Sequence, residues 1–133
     1  MSRAMPNQES IRVVAGLIEG RAASDRDLKT DGASVYLKGS SIVRTVARRE
    51  PNDTSTWTIE LNLCGWGDTR TTRNCINSVL CRLNLPYRVG MHKHTAYLYL
   101  VTQSDEVTSP TESVKAITTL PENGWVTLPM EEA

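Results

Sequence analysis

The residues best suited to chemistry lie in one run, C-G-W-G-D-T-R-T-T-R-N-C-I-N, residues 64–77. It joins a strand end to a helix start through a glycine-rich turn and carries several hydroxyls and two arginines. The first backbone N–H groups of a helix have no intrahelical partner and carry partial positive charge. With Arg70 and Arg73 added, such a start can bind a phosphate or a carboxylate. The same residues support an architectural reading, in which Thr69 or Thr71 caps the helix and Asp68 favours its positive end. The run is not a P-loop, because GxxxxGK[ST] is absent, and it does not match GxGxxG in a parallel βαβ unit.

Within the run, Thr72 falls under the apolar stripe of the helix, where its hydroxyl must find a partner. Arg73 and Asn77 are four apart and can share one hydrogen-bonded contact. As a ligand cradle, the segment uses Trp66, Thr69, Arg70, Thr71, Thr72, Arg73 and Asn77. As architecture, the polar groups lock helix to sheet, with Trp66 packed at the hinge.

Other chemistry finds less support. Cys64, Cys75 and Cys81 with His92 and His94 show neither C-x₂-C nor H-x₃-H spacing. Cys75 and Cys81 point roughly 120° apart on a helix, so the thiols are expected to be buried and inert, with no metal and no cofactor. A thiol and histidines without a recognisable acid partner do not make a nucleophilic site, and Glu60 has no second carboxylate nearby in its pattern. The expectation is a protein that is not an enzyme. Tyr97 and Tyr99 share one face of a strand, where they can stack bases beside Arg and Lys or form a subunit interface.

The elements that must position these groups follow from periodicity. Residues 9–19 place Ile11, Val14, Leu17 and Ile18 at helical spacing, with Val13 beside the stripe and Gly20 placed to end the helix. Residues 21–33 are polar and read as a loop, with Asp31-Gly32 turning into the next element. Val35–Leu37 and Ile42–Val46 flank Lys38-Gly39-Ser40-Ser41 as a hairpin. Trp57, Ile59, Leu61 and Leu63 alternate with polar residues, the pattern of a half-buried strand. From Thr71, the residues Cys75, Ile76, Val79, Leu80 and Leu83 form one helical stripe, ended by Leu85-Pro86. A second hairpin spans 87–101, turning near His92-Lys93-His94. Residues 103–112 read as a linker, and 115–129 as a terminal hairpin around Asn123-Gly124.

These elements predict an α+β fold: a small antiparallel β-sheet with one amphipathic helix packed on a face, plus a short N-terminal helix. The organisation expected is 1–33 (N-terminal helix and polar loop), 34–103 (α+β core domain) and 104–133 (acidic tail). Net charge is zero, yet residues 1–103 hold fourteen Lys and Arg against nine Asp and Glu, and residues 104–133 hold one against six. A core carrying +5 is modest for a dedicated nucleic-acid binder. No window approaches the roughly 18 apolar residues of a membrane span, and the first residues lack a signal-peptide pattern. Three cysteines, an odd number, argue against a disulfide framework and suit a reducing cytoplasm. A core of this modest size makes a homo-oligomer the expectation.

The run W-T-I-E-L-N-L-C-G-W-G-D-T-R-T-T-R-N-C-I-N followed by L-N-L-P-Y-R-V resembles a small protein family of tailed bacteriophages. That family carries a G-W-x-T-x-T-T-[KR]-x-R-[ILM]-N core between a strand and a short helix, and Y-L-K-G-S-S-I-V at 36–43 suits its upstream strand. The matching positions are Gly65, Trp66, Thr69, Thr71, Thr72, Arg73, Ile76 and Asn77, within a resemblance covering roughly 34–101. Asp68 and Cys75 depart from it, and Cys75 stands where a second basic residue is usual. The resemblance implies a phage origin and a strand-rich sheet with one helix, but no established activity.

The functional expectation is a non-enzymatic phage accessory protein in the host cytoplasm. It would sequester a small phosphate-bearing ligand, such as a host-defence signalling nucleotide. The alternatives are a single-stranded nucleic-acid-binding module and a protein–protein inhibitor of a host factor with the acidic tail as decoy. None of these places the chain in a membrane.

Overall fold

The computed structural model describes residues 9–65, 69–103 and 112–129. It has an α+β fold of two helices and mostly antiparallel strands. The N-terminal helix α1 runs Glu9–Glu19. Its end is a Schellman motif: Gly20 takes φ 74°, Gly20 N donates to Leu17 O and Arg21 N to Gly16 O. The buried face is Ser10, Val13, Val14 and Leu17, whereas Ile11 and Ile18 are 52% and 39% exposed. The helix is thus rotated from the expected stripe. Two contacts set the rotation. Ser10 Oγ accepts from Arg82 Nε at 2.6 Å, and a Cβ on Gly16 would come within 2.8–2.9 Å of Arg21 O and Ala23 Cβ.

Residues 21–33 are not only loop. They hold a short hairpin of β1, Ala23–Asp25, and β2, Leu28–Thr30. Leu28 and Thr30 are buried on either side of exposed Lys29, an alternation too brief to stand out in the sequence. Beyond it, the Asp31 carboxylate accepts from the N–H groups of Ala33 and Ser34, forming the expected turn.

The hairpin of β3, Ser34–Leu37, and β4, Ser40–Arg48, closes through Lys38 and Gly39, both at positive φ. That is the turn whose twist matches paired strands. β5, Trp57–Leu61, buries Trp57, Ile59 and Leu61 and leaves Thr58 and Glu60 half-buried, as the alternation predicts. Helix α2, Arg70–Arg82, buries Thr72, Cys75, Ile76, Ser78, Val79 and Leu80. Asn84, at φ 62°, ends it with Leu85 N on Leu80 O, one residue ahead of the Leu85-Pro86 stop. β6, Tyr87–His92, and β7, Thr95–Gln103, form the second hairpin around Lys93-His94.

Two features correct the expected single sheet. The strands form a six-stranded sheet, β1-β2-β3-β4-β5-β9, and a three-stranded sheet, β6-β7-β8. Here β8 is Glu112–Thr119 and β9 is Val126–Thr127. The terminal hairpin around Asn123-Gly124 does not form, because its two arms join different sheets: β8 pairs with β7, and β9 with β5. The open edge of β5 offers the last segment a ladder, including Leu128 N to Ile59 O at 2.8 Å. Residues 104–111, most of the expected linker, lie outside the described residues, as do 130–133. One apolar core unites α1, α2 and both sheets, with Trp57, Ile59, Leu61, Ile76, Leu80, Leu98 and Leu128 almost wholly buried.

Candidate functional site: the α2 start and the adjoining cleft

After β5 the chain turns sharply. Asn62 Oδ1 accepts from Cys64 N at 2.8 Å and from Gly124 N at 3.2 Å. Cys64 and Gly65 then take φ 56° and 79°. The Cys64 thiol donates to Ser41 O, and burial pushes its pKa up, so it is held as a protonated packing group. Gly65 N donates to Glu122 O at 2.6 Å, tying this turn to the segment that follows β8. Trp66, together with Gly67 and Asp68, lies outside the described residues.

The predicted site residues then divide. Thr69 is the N-cap residue of α2, in extended conformation, yet its side chain makes no capping hydrogen bond. No acidic residue occupies the helix's first turn. Arg70 and Thr71 are exposed there. Thr72 points into the core and is 4% exposed. Arg73 is half-buried and leans across to β6, its Nη1 lying 3.9 Å from Met91 Sδ. Asn77 exchanges two hydrogen bonds with the Val89 peptide, Nδ2 to O at 3.0 Å and N to Oδ1 at 2.7 Å. Arg73 and Asn77 therefore meet the same strand two residues apart and do not converge on one point. Asn77 and Thr72 are architecture, while Thr69, Arg70 and Thr71 border open solvent.

A cleft of about 460 Å³ is lined by Met91, the residue that Arg73 of α2 touches, and by no residue of α2 itself. Leu63 and Gly65 line it from the turn after β5, and Met91, His94, Thr95 and Ala96 from the β6–β7 hairpin. Leu120, Pro121 and Glu122 complete the wall. Met91 connects the two features, because it faces the cleft and carries the contact with Arg73. Its walls mix polar and apolar surface, and cavities of roughly 300–1,000 Å³ are usual for a small organic ligand. Sequence reasoning missed the cleft. Its three walls come from distant segments, and none carries a local signature.

Among the described residues, no group of three His, Cys, Asp or Glu could hold a metal ion. Cys75 is buried, Cys64 and Cys81 are half-buried, and none is in a disulfide. No described helix is long and apolar enough to cross a membrane.

The two tyrosines lie where the alternation put them. Leu98 is buried on one face of β7, and Tyr97 and Tyr99 are half-buried on the other, with ring centroids 5.9 Å apart. The Tyr99 ring lies across Gly90, where a Cβ would come within 2.7 Å of Cε2. Arg88 is its cross-strand neighbour. No family model, curated protein or solved structure matches the chain.

Proposed function

We propose that this protein binds and sequesters a small phosphate-bearing ligand without transforming it. The phosphate would meet the start of α2 and the remainder would enter the adjoining cleft. One observation carries the reading: the start of α2, whose N-cap side chain does not cap it, is linked through the Arg73–Met91 contact to a cleft of small-ligand size. The N–H groups of a helix's first turn favour an anion, and Arg70, exposed there, adds a charged donor. The resemblance of roughly residues 34–101 to a tailed-phage family supports a phage origin, and for a phage accessory protein in the host cytoplasm we propose a host-defence signalling nucleotide as the ligand.

A single-stranded nucleic acid is the second reading, favoured by the paired Tyr97 and Tyr99 rings beside Arg88. Native mass spectrometry with cyclic nucleotides, linear nucleotides and a short single strand separates the two. Retention of an intact nucleotide is expected. Arg70→Ala should weaken it about tenfold, the worth of one charge-assisted hydrogen bond, with an unchanged melting temperature. A chain that holds no nucleotide but binds the strand in a steeply salt-dependent way overturns the first reading for the second.

A further inference from the structure

The α1 helix presents a second apolar stripe that the described residues leave exposed. Its core face is Ser10, Val13, Val14 and Leu17. Roughly 100° around the helix stand Ile11, 52% exposed, and Ile18, 39% exposed. Seven residues apart, they lie within about 20° of one another. Ala15 sits between them, half-buried and small enough for a close helix approach. Arg12 and Glu19, both exposed and also seven apart, flank the stripe on its solvent side.

This pattern is complementary to itself. Two copies of α1 laid antiparallel about a two-fold axis at Ala15 bring Ile11 against the partner's Ile18, and Ile18 against the partner's Ile11. Such an axis keeps flanking positions on the same side of the pair, so Arg12 faces the partner's Glu19 and the match is made twice. A parallel pair has no such match, because its two-fold sends the flanking charges to opposite sides. Glu19 already holds Arg21 of its own chain through Oε1, and Oε2 is the acceptor for the incoming guanidinium.

We infer that α1 is the dimerisation surface of this protein, an antiparallel helix pair centred on Ala15 with a second copy of the chain as occupant. Stable interfaces bury about 1,200–2,000 Å² in total. A helix of 11 residues supplies less, so the dimer is concentration-dependent. The proposal is independent of the ligand site at α2.

Sedimentation velocity over a concentration series tests it. The full chain should shift from monomer to dimer as concentration rises. Ile18→Lys should weaken association about a hundredfold, since a two-fold contact loses the side chain twice, while melting temperature at low concentration is retained because the residue is exposed. Arg12→Glu and Glu19→Arg should each weaken the dimer, and the double variant should restore it. Ala15→Cys should form an interchain disulfide on oxidation, read against the parent chain, which already has Cys64, Cys75 and Cys81. A chain that stays monomeric throughout overturns the inference. So does a dimer that survives Ile18→Lys unchanged, or failure of the charge exchange to rescue.

Discussion

The Asn77 carboxamide and the Val89 peptide exchange two hydrogen bonds, at 3.0 and 2.7 Å, so a helix side chain stands in for a missing strand neighbour of β6. An amide side chain carries a donor and an acceptor in the geometry of a peptide group, and few other residues can answer both needs of a strand edge at once. Asn77→Leu should cost about 2–3 kcal/mol, because it leaves two partly buried backbone groups unpaired. Asn77→Asp should also destabilise, since an ionised carboxylate accepts from Val89 N but cannot donate to Val89 O. Urea denaturation reads both. The fraction that remains folded should keep its ligand affinity, which separates this residue from Arg70.

Acid sensitivity should trace in part to Asp31. Hydrogen bonds from the backbone N–H of Ala33, then of Ser34, hold its carboxyl below the ordinary 3.8, and the Tyr36 hydroxyl adds to them. A carboxyl whose folded pKa is depressed contributes stability above its unfolded pKa, and that contribution disappears as pH falls through the folded value. Asp31→Ala should therefore lower the melting temperature at pH 7, by a margin that begins to shrink near the unfolded pKa of about 3.9 and is gone once the pH is below the folded value. Thermal denaturation of both proteins across that range gives the comparison.

The segment closing the cleft is held to the large sheet by Trp125 and Thr127. Arg44 stacks on the Trp125 ring at 4.0 Å and bonds Glu60 Oε1, while the Thr127 hydroxyl bonds Glu60 Oε2. Arg44 is 41% exposed, so its ion pair is worth little alone. Loss of the ring contact in Trp125→Ala should cost about 1 kcal/mol. Amide exchange should quicken first at Leu128 and Gly65, whose N–H groups bond Ile59 O and Glu122 O. Equal protection in both proteins would mean that β9 pairing alone holds the segment.

Gly90 is the position over which Tyr99 lies. Gly90→Ala places a Cβ 2.7 Å from the ring, which must tilt away at a cost of about 1–2 kcal/mol. Gly90→Ala combined with Tyr99→Ala should show clear non-additivity, because the ring causing the clash is then gone. Chemical denaturation of the three variants completes the cycle.

The legible parts of the candidate site were those with a local cause. The start of α2 follows from a hydroxyl-rich stretch ahead of an apolar stripe, so Thr69, Arg70 and Thr71 could be placed at a helix terminus and Thr72 underneath it. The roles of Arg73 and Asn77 were not legible. Their spacing allows a shared contact, but which atoms lie opposite is set by the position of β6, and those atoms are Met91 Sδ and the Val89 peptide. The rotation of α1 was lost for a related reason. Val13, Val14, Leu17, Ile11 and Ile18 are all apolar, and the packing of Gly16 and the Arg82–Ser10 bond select which of them turn inward.

Strand and helix identity belonged to the chain's own pattern. Alternation from Trp57 to Leu61 and the stripe from Cys75 to Leu80 state which side of each element avoids water, and that needs no knowledge of the neighbour. The hairpins at Lys38-Gly39 and Lys93-His94 were equally local, since their arms adjoin in sequence. Tertiary structure decided the rest: that Leu28 and Thr30 form a strand at all, that β8 and β9 part company for different sheets, and that Gly65, Met91 and Glu122 wall one cleft. A three-residue strand, an open sheet edge and a cleft between layers have no sequence period. Each exists only because a distant segment supplies the missing hydrogen bonds or the opposite wall.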